Sequence, residues 1–178
     1  FGRLKGFSYY TTGAFIAASG DIARVDKVSS FWKGMGLDVN PDGSVPRRVR
    51  GRRDIERKVP ALPFVTRVGE QIRSQILKSG GKLYALYSEY KDLYTEKHPS
   101  KAKIFLHKGA LRVAQKILYA CAWKEWREAY GLPAPMPYAF DILKHSEYGL
   151  VCFADLYDLP ELPEIKGKRK RRNRPDKH

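Results

Sequence analysis

Apolar positions recur at helical spacing over most of the first 131 residues. In "YYTTGAFIAA" (9–18) Phe15 and Ile16 are the apolar anchors, and Gly13, Ala14, Ala17 and Ala18 are small enough for close packing, so a short helix is predicted. Gly20 is its expected stop, in a conformation that favours glycine. Asp26 is placed to cap a second short helix that turns Val28, Phe31 and Trp32 inward and ends at Gly34 and Gly36. Three longer helices follow. Over 63–79, Phe64, Val65, Val68, Ile72 and Ile76 share a face, and Gly80-Gly81 interrupts the pattern. Over 82–97 the stripe is Leu83, Tyr87, Tyr90 and Tyr94. Over 100–131 it is His107, Leu111, Ala114, Leu118 and Cys121, with Ile117 and Ala122 beside it, and Pro133, Pro135 and Pro137 close it.

Between the second and third helices the periodicity vanishes. Residues 37–60 carry Asn-Pro, Asp-Gly and two Val-Pro steps, which are turn signals. They read as a small β-hairpin or an extended basic arm with "NPDGS" at its tip. A last amphipathic piece is expected near 138–145. The fold class is therefore mostly α. The chain divides into a helical and arginine-rich part (1–60), further helices of the same domain (61–160) and a basic tail expected to be disordered (161–178).

Charge changes this picture from a plain helical domain to one with an anionic partner. The chain holds 34 Lys and Arg against 19 Asp and Glu, a net +15. "PRRVRGRRDIERK" (46–58) has 7 basic and 2 acidic residues, and "KGKRKRRNRPDKH" (166–178) has 8 and 1. These blocks supply +5 and +7, hence +12 of the +15, while the remainder is nearly balanced. Two concentrated blocks on a neutral body point to a polyanion, most simply a nucleic-acid backbone.

No apolar run is long enough to span a membrane, and no stretch has the form of a secretory signal. Cys121 and Cys152 lie far apart in apolar surroundings and read as buried thiols, as expected in a reducing cytoplasm. His107 has no carboxylate, Cys or second His at ligand spacing, so it reads as a helix-lining histidine and no metal site is expected. The tyrosine stripe, Trp123 and Trp126 read first as packing groups, with base stacking the minority alternative. A chain opening on Phe1 reads as a piece of a longer protein.

"LKGFSYYTTGAFIA" has the outline of a helix-hairpin-helix unit. In such a unit a glycine turn and the start of the following helix, here Gly6, Phe7 and Ser8, present backbone N–H groups to phosphate without reading base sequence. Serine at position 8 replaces the more usual glycine, and an ordinary helical hairpin stays open as the alternative. With its sequel, "GFSYYTTGAFIAASGDIARVDKVSSFWKGMGLDV" resembles the C-terminal transposase domain of the IS-one-ten (IS-one-sixteen type) insertion-sequence family. The points of likeness are Leu4 to Phe7, Thr11 to Ala18, Gly20-Asp21-Ile22, Phe31-Trp32 and Gly36-Leu37. "DGSVPRRVRG" and "HKGALRVAQKILYACAWKEWREAYGLP", with His107, Arg112, Lys116, Trp123 and Trp126, extend the likeness to about residue 137.

The resemblance implies a DNA recombinase. Its RuvC-like carboxylate domain, which would hold Mg²⁺, is not among these residues, and its nucleophilic serine acts on a DNA phosphodiester. Asp21, Asp38, Asp42 and Asp54 are too scattered to replace that domain, so no cofactor is expected on this chain and the chain alone is not expected to cut DNA. Ser44 is the nearest candidate nucleophile, but in Gly-Ser rather than Ser-Gly order, and a turn serine is its other reading. Arg47, Arg48, Arg50, Arg52 and Arg53 are expected to line a nucleic-acid channel. Lys168, Arg169, Lys170, Arg171 and Arg172 would add non-specific affinity. The implied partners are DNA, a structured guide RNA and further copies of the protein, with a nucleoid-associated location. A stand-alone basic DNA- or RNA-binding structural protein is the alternative, and an adaptor for acidic proteins a third reading.

Overall fold

The structure is a computed structural model, and it describes residues 8–39 and 63–135. Over these residues the fold is mostly α: α1 (Tyr9–Ser19), a 3-10 turn (Ile22–Arg24), α2 (Val28–Gly34), α3 (Pro63–Ser79), α4 (Lys82–Lys97) and α5 (Lys103–Ala129). No strand occurs among the described residues. The expected hairpin or arm over 40–60, the piece near 138–145, Cys152 and the tail all lie outside them.

Each boundary has a local cause. Ser8 accepts a hydrogen bond from the Thr11 amide through its hydroxyl at 3.2 Å, which caps α1. Gly20 stops α1 at φ 62°, a region L side chains avoid. Asp21 caps the 3-10 turn by accepting from the Ala23 amide. Two helices close alike. Beyond α2, Gly36 (φ 72°) donates to the Lys33 carbonyl at 3.1 Å and Leu37 to that of Trp32 at 2.7 Å. Beyond α5, Gly131 (φ 65°) donates to Glu128 and Leu132 to Arg127, both at 2.9 Å. This is the paired Schellman closure, in which a left-handed residue lets two amides reach back to otherwise orphaned carbonyls.

α5 is the spine. It packs on α4, α3, α2 and the 3-10 turn, while α1 lies on α3 and α3 on α4. Ile117, Leu118, Tyr119, Ala120 and Cys121 are all buried, so this stretch of α5 is covered on every side, as a central helix must be. Phe15 of α1, Phe31 of α2 and Tyr119 of α5 form one aromatic cluster. Their ring centroids lie 5.1 Å (Phe15–Tyr119), 6.1 Å (Phe31–Tyr119) and 6.3 Å (Phe15–Phe31) apart. Burial in this core pushes the Tyr119 hydroxyl and the Cys121 thiol up to about 12.

The helix assignments from periodicity agree closely with the structure, but several side chains do not sit as expected. Ile16 and Phe64 are exposed, so α1 holds the core through Phe15, and α3 through Val65, Val68, Ile72 and Ile76. Ala17 and Gly13 are exposed as well, and a Cβ on Gly13 would touch nothing; of the small residues in α1 only Ala14 and Ala18 pack on the core. Asp26 does not cap α2. Lys27 holds that position without a side-chain hydrogen bond, and the Asp26 carboxylate lies 3.5 Å from Arg127 Nη1 instead. α5 starts three residues later than expected, at Lys103, and Gly131 ends it before the prolines are reached.

Arg127 is the unexpected core member, 4% exposed. Its Nη1 donates to the carbonyls of Ala23 (2.9 Å) and Val25 (3.0 Å), and its Nε to that of Pro133 (2.7 Å). The indole of Trp123 donates to the Val25 carbonyl as well, at 2.7 Å, with the guanidinium 5.4 Å from that ring. Arg127→Ala strips donors from buried carbonyls and is expected to cost about 3 kcal/mol in urea unfolding. Arg127→Lys recovers only part of that, because an ammonium lacks the planar fork. Lys124→Ala, which removes an exposed pair with Glu128, should stay within about 0.5 kcal/mol.

Candidate nucleic-acid interface

The described residues contain three places where positive groups and exposed surface meet. The first is the start of α1. Ser8 Oγ takes the Thr11 amide and the Ser8 carbonyl takes the Thr12 amide at 3.0 Å, so the amides of Tyr9 and Tyr10 lie in the first turn, beyond intrahelical acceptors. No acidic residue occupies this turn, and the Tyr9 side chain is 97% exposed. Ser8 thus acts as a helix cap. Gly6 and Phe7, the other members of the expected phosphate turn, lie outside the described residues.

The second place is the root of the arginine-rich segment. Chain leaving α2 runs along α5, where Arg112 donates through Nη1 to the Gly36 carbonyl at 3.4 Å and through Nη2 to that of Asp38. One turn on, Lys116 lies with its ammonium 5.1 Å from the Trp32 ring centroid, and the Trp32 indole donates to the Lys116 carbonyl at 2.9 Å. Desolvation first, then the neighbouring Arg112 charge, holds the Lys116 ammonium down to about 8, against the opposing pull of Asp38. Gly36 and Asp38 are therefore fixed to α5. Ser44, Arg47, Arg48, Arg50, Arg52 and Arg53 follow beyond Val39, outside the described residues, as do Lys168, Arg169, Lys170, Arg171 and Arg172.

The third place was not singled out in the sequence. Lys101 lies in the loop before α5, and Ile104, Phe105, Lys108, Arg112 and Lys116 follow at i, i+1, i+4, i+8 and i+12, one side of the helix. The first four are exposed and the last two half-buried under residues 36–38. From Lys97 to Lys124 there are 7 basic residues and no acidic one. The described body has 3 basic and 3 acidic residues over 8–39 and 13 and 6 over 63–135, a net +7, so this stretch equals the whole excess. Summed over all residues outside the two basic blocks, that excess was hidden by residues 136–165, which carry 1 basic and 6 acidic side chains. An acid-free run with lysines at helical spacing was the available signal.

The other aromatic and histidine positions are structural. Tyr84, Tyr90, Tyr94 and Trp126 are half-buried against the core, and Tyr87 and Trp123 are buried within it. His107 Nδ1 sits 2.7 Å from the Tyr87 hydroxyl, a bond between α4 and α5. Among the described residues no group of three or more His, Cys, Asp or Glu could hold a metal ion, and no helix is long and apolar enough to cross a membrane. No step through a metal is therefore assigned to these residues.

Compared with protein-family models, curated proteins and solved structures, the chain gives no match.

The depressed Lys116 group gives a pH signature. The folded chain releases this proton near 8, whereas the unfolded chain holds it to its ordinary 10.5. Between these values the unfolded state binds more protons, so stability rises with pH across the window and is flat below it. Cys121 and Tyr119 act oppositely at higher pH, since their raised groups keep protons that the unfolded chain loses. They are common to wild type and Lys116→Met, and cancel in the difference. The unfolding free energy of wild type minus that of Lys116→Met should climb from pH 8 to about 10.5 in urea titrations. A difference that stays level would remove the desolvated ammonium from the account.

Proposed function

We propose that this chain is a nucleic-acid-gripping domain, and specifically the C-terminal part of a DNA transposase of the IS-one-ten kind. In this reading it holds DNA, and a structured RNA where one guides the reaction, while the carboxylates and Mg²⁺ that break phosphodiesters belong to a separate RuvC-like domain. The observation that carries the binding function is the placement of charge: +12 of the +15 sits in two short blocks. Surface charge spread for solubility would not be bunched so, whereas a polyanion bound by release of condensed counterions rewards clustering.

Supporting geometry comes from two of the places described above. Capped by Ser8 and free of first-turn acids, α1 leaves its leading amides toward the segment that holds Gly6 and Phe7. Arg112 ties Gly36 and Asp38, on the chain that leads toward the 46–58 block, to the central helix. Backbone amides and arginines of this kind grip phosphate and position a duplex without specifying its sequence. The narrower transposase assignment rests on the order and spacing of the sequence elements from Leu4 to Pro137.

The test is binding to duplex DNA, four-way junctions and structured RNA across a salt series. Log K should fall steeply with log salt, by about 0.9 for each duplex phosphate neutralised. A variant combining Gly6→Val with Arg47→Ala, Arg48→Ala and Arg50→Ala should bind at least tenfold more weakly with a shallower slope. Strong binding unchanged in that variant would move the grip to the C-terminal block. Absence of binding by the wild-type chain would refute the nucleic-acid reading.

A further inference from the structure

We infer that the exposed side of α5 and the loop before it form a second, separate contact for single-stranded nucleic acid, with Phe105 as a stacking platform and Lys101 and Lys108 as its phosphate clamps. This inference rests on the nucleic-acid reading above and adds to it a strand type and a location.

Phe105 is 59% exposed, and Ile104 beside it is exposed too, on a helix whose other face is firmly buried through Leu106, Ala110 and Leu111. Neither side chain contributes to the core of the described residues, which among themselves give no packing reason for an apolar pair here. Lys108 stands three residues after Phe105, exposed and on its side of the helix, and the exposed Lys101 lies in the loop two residues before the helix begins. An aromatic ring bracketed by ammonium groups is the arrangement that binds single strands, because every base offers a π-face and the flanking phosphates meet the positive charges. A duplex keeps its bases stacked on one another and would leave Phe105 unused.

Charge complementarity favours a polyanion over a neutral partner. The stretch from Lys97 to Lys124 carries seven positive side chains and no carboxylate. Asp38 is the acidic group facing the stripe from another element, and it acts on Lys116 at the far end, not on Lys101 or Lys108. The acidic side chains of α4 that gather around Tyr90 and Leu93 (Glu89, Asp92 and Glu96) line a hollow of their own on that helix. The helical part of the stripe, from Ile104 to Lys116, runs about 18 Å at the helical rise of ~1.5 Å per residue. It ends under residues 36–38.

The experiment uses the full chain and three probes: a fluorescently labelled oligo-dT strand, the matching duplex, and vesicles with an anionic lipid. Three variants are compared with wild type: Phe105→Ala, Phe105→Tyr and the pair Lys101→Ala/Lys108→Ala. All three positions are exposed, and unchanged thermal midpoints verify folding. Phe105→Ala should weaken oligo-dT binding about tenfold with duplex binding unaltered, and Phe105→Tyr should retain it. The lysine pair should lower the single-strand salt slope by about 1.4. Equal oligo-dT affinity in Phe105→Ala and wild type, with duplex binding intact, overturns this inference and leaves the nucleic-acid reading standing. Loss of vesicle binding in Phe105→Ala without loss of oligo-dT binding overturns it in favour of a membrane-surface contact. A wild-type chain that binds neither strand nor duplex overturns both readings.

Discussion

A buried guanidinium at the end of α5 does what no apolar side chain could do at that position. The connector between α1 and α2 is short and turns sharply, so its carbonyls at Ala23 and Val25 point into the protein without ladder partners. Arg127 reaches both with one nitrogen and the Pro133 carbonyl with another. A buried polar group left unpaired costs roughly 1–3 kcal/mol, and the half-buried Ala23 and Val25 carbonyls would bear part of that cost. The fork of Arg127 removes that cost, and the Trp123 indole shares the Val25 carbonyl. Its charge is not sealed in, because the largely exposed Asp26 carboxylate stands 3.5 Å away. The N-terminal helices are thereby fastened to the C-terminal end of a helix about a hundred residues further along the chain.

The same logic recurs midway along α5. Arg112 takes the carbonyls of Gly36 and Asp38 just after the Schellman closure of α2. One arginine therefore fixes where the chain enters α2 and another where it leaves. Between them the Phe15–Phe31–Tyr119 cluster supplies apolar contact, which is not directional. The guanidinium forks supply the orientation that apolar contact lacks. α5 is thus both the core and the frame to which the N-terminal helices are fastened.

How far the sequence discloses this follows from the range of each interaction. The ends of α3 and α4 are legible because Gly80 and Gly81 act locally, and the turn at Gly20 for the same reason. Ile16 and Phe64 were misjudged because periodicity says which side chains share a face, not how much of that face is covered; α1 and α3 bury narrower stripes than their apolar content suggests. Asp26 has the right chemistry for a helix cap, yet it lies near a guanidinium 101 residues away in sequence. Arg127 is one of several charged residues in the last turns of α5, and nothing in its local sequence sets it apart. Only the fold brings it to carbonyls from the other end of the chain. Of the candidate interface, the two charge blocks were visible from composition. The α5 stripe was masked because an acidic stretch after it cancels it in any sum.

That cancellation bears on how charge works in this molecule. Net charge sets long-range attraction to a polyanion, but beyond a Debye length of about 8 Å at physiological salt the blocks are screened from one another and act locally. Charges on a packed helix differ from those on a segment without fixed geometry, because their mutual spacing is set before a ligand arrives and less side-chain and backbone freedom is lost on binding. Lys108 and Arg112 keep such a spacing, enforced by the burial of Leu106, Ala110 and Leu111 on the helix's buried side. The hydrophobic effect that folds α5 is thereby also what holds its positive groups in line. One helix, buried through its apolar side and without an acid from Lys103 to Lys124, thus both holds the core together and sets the spacing of the positive groups on its other side.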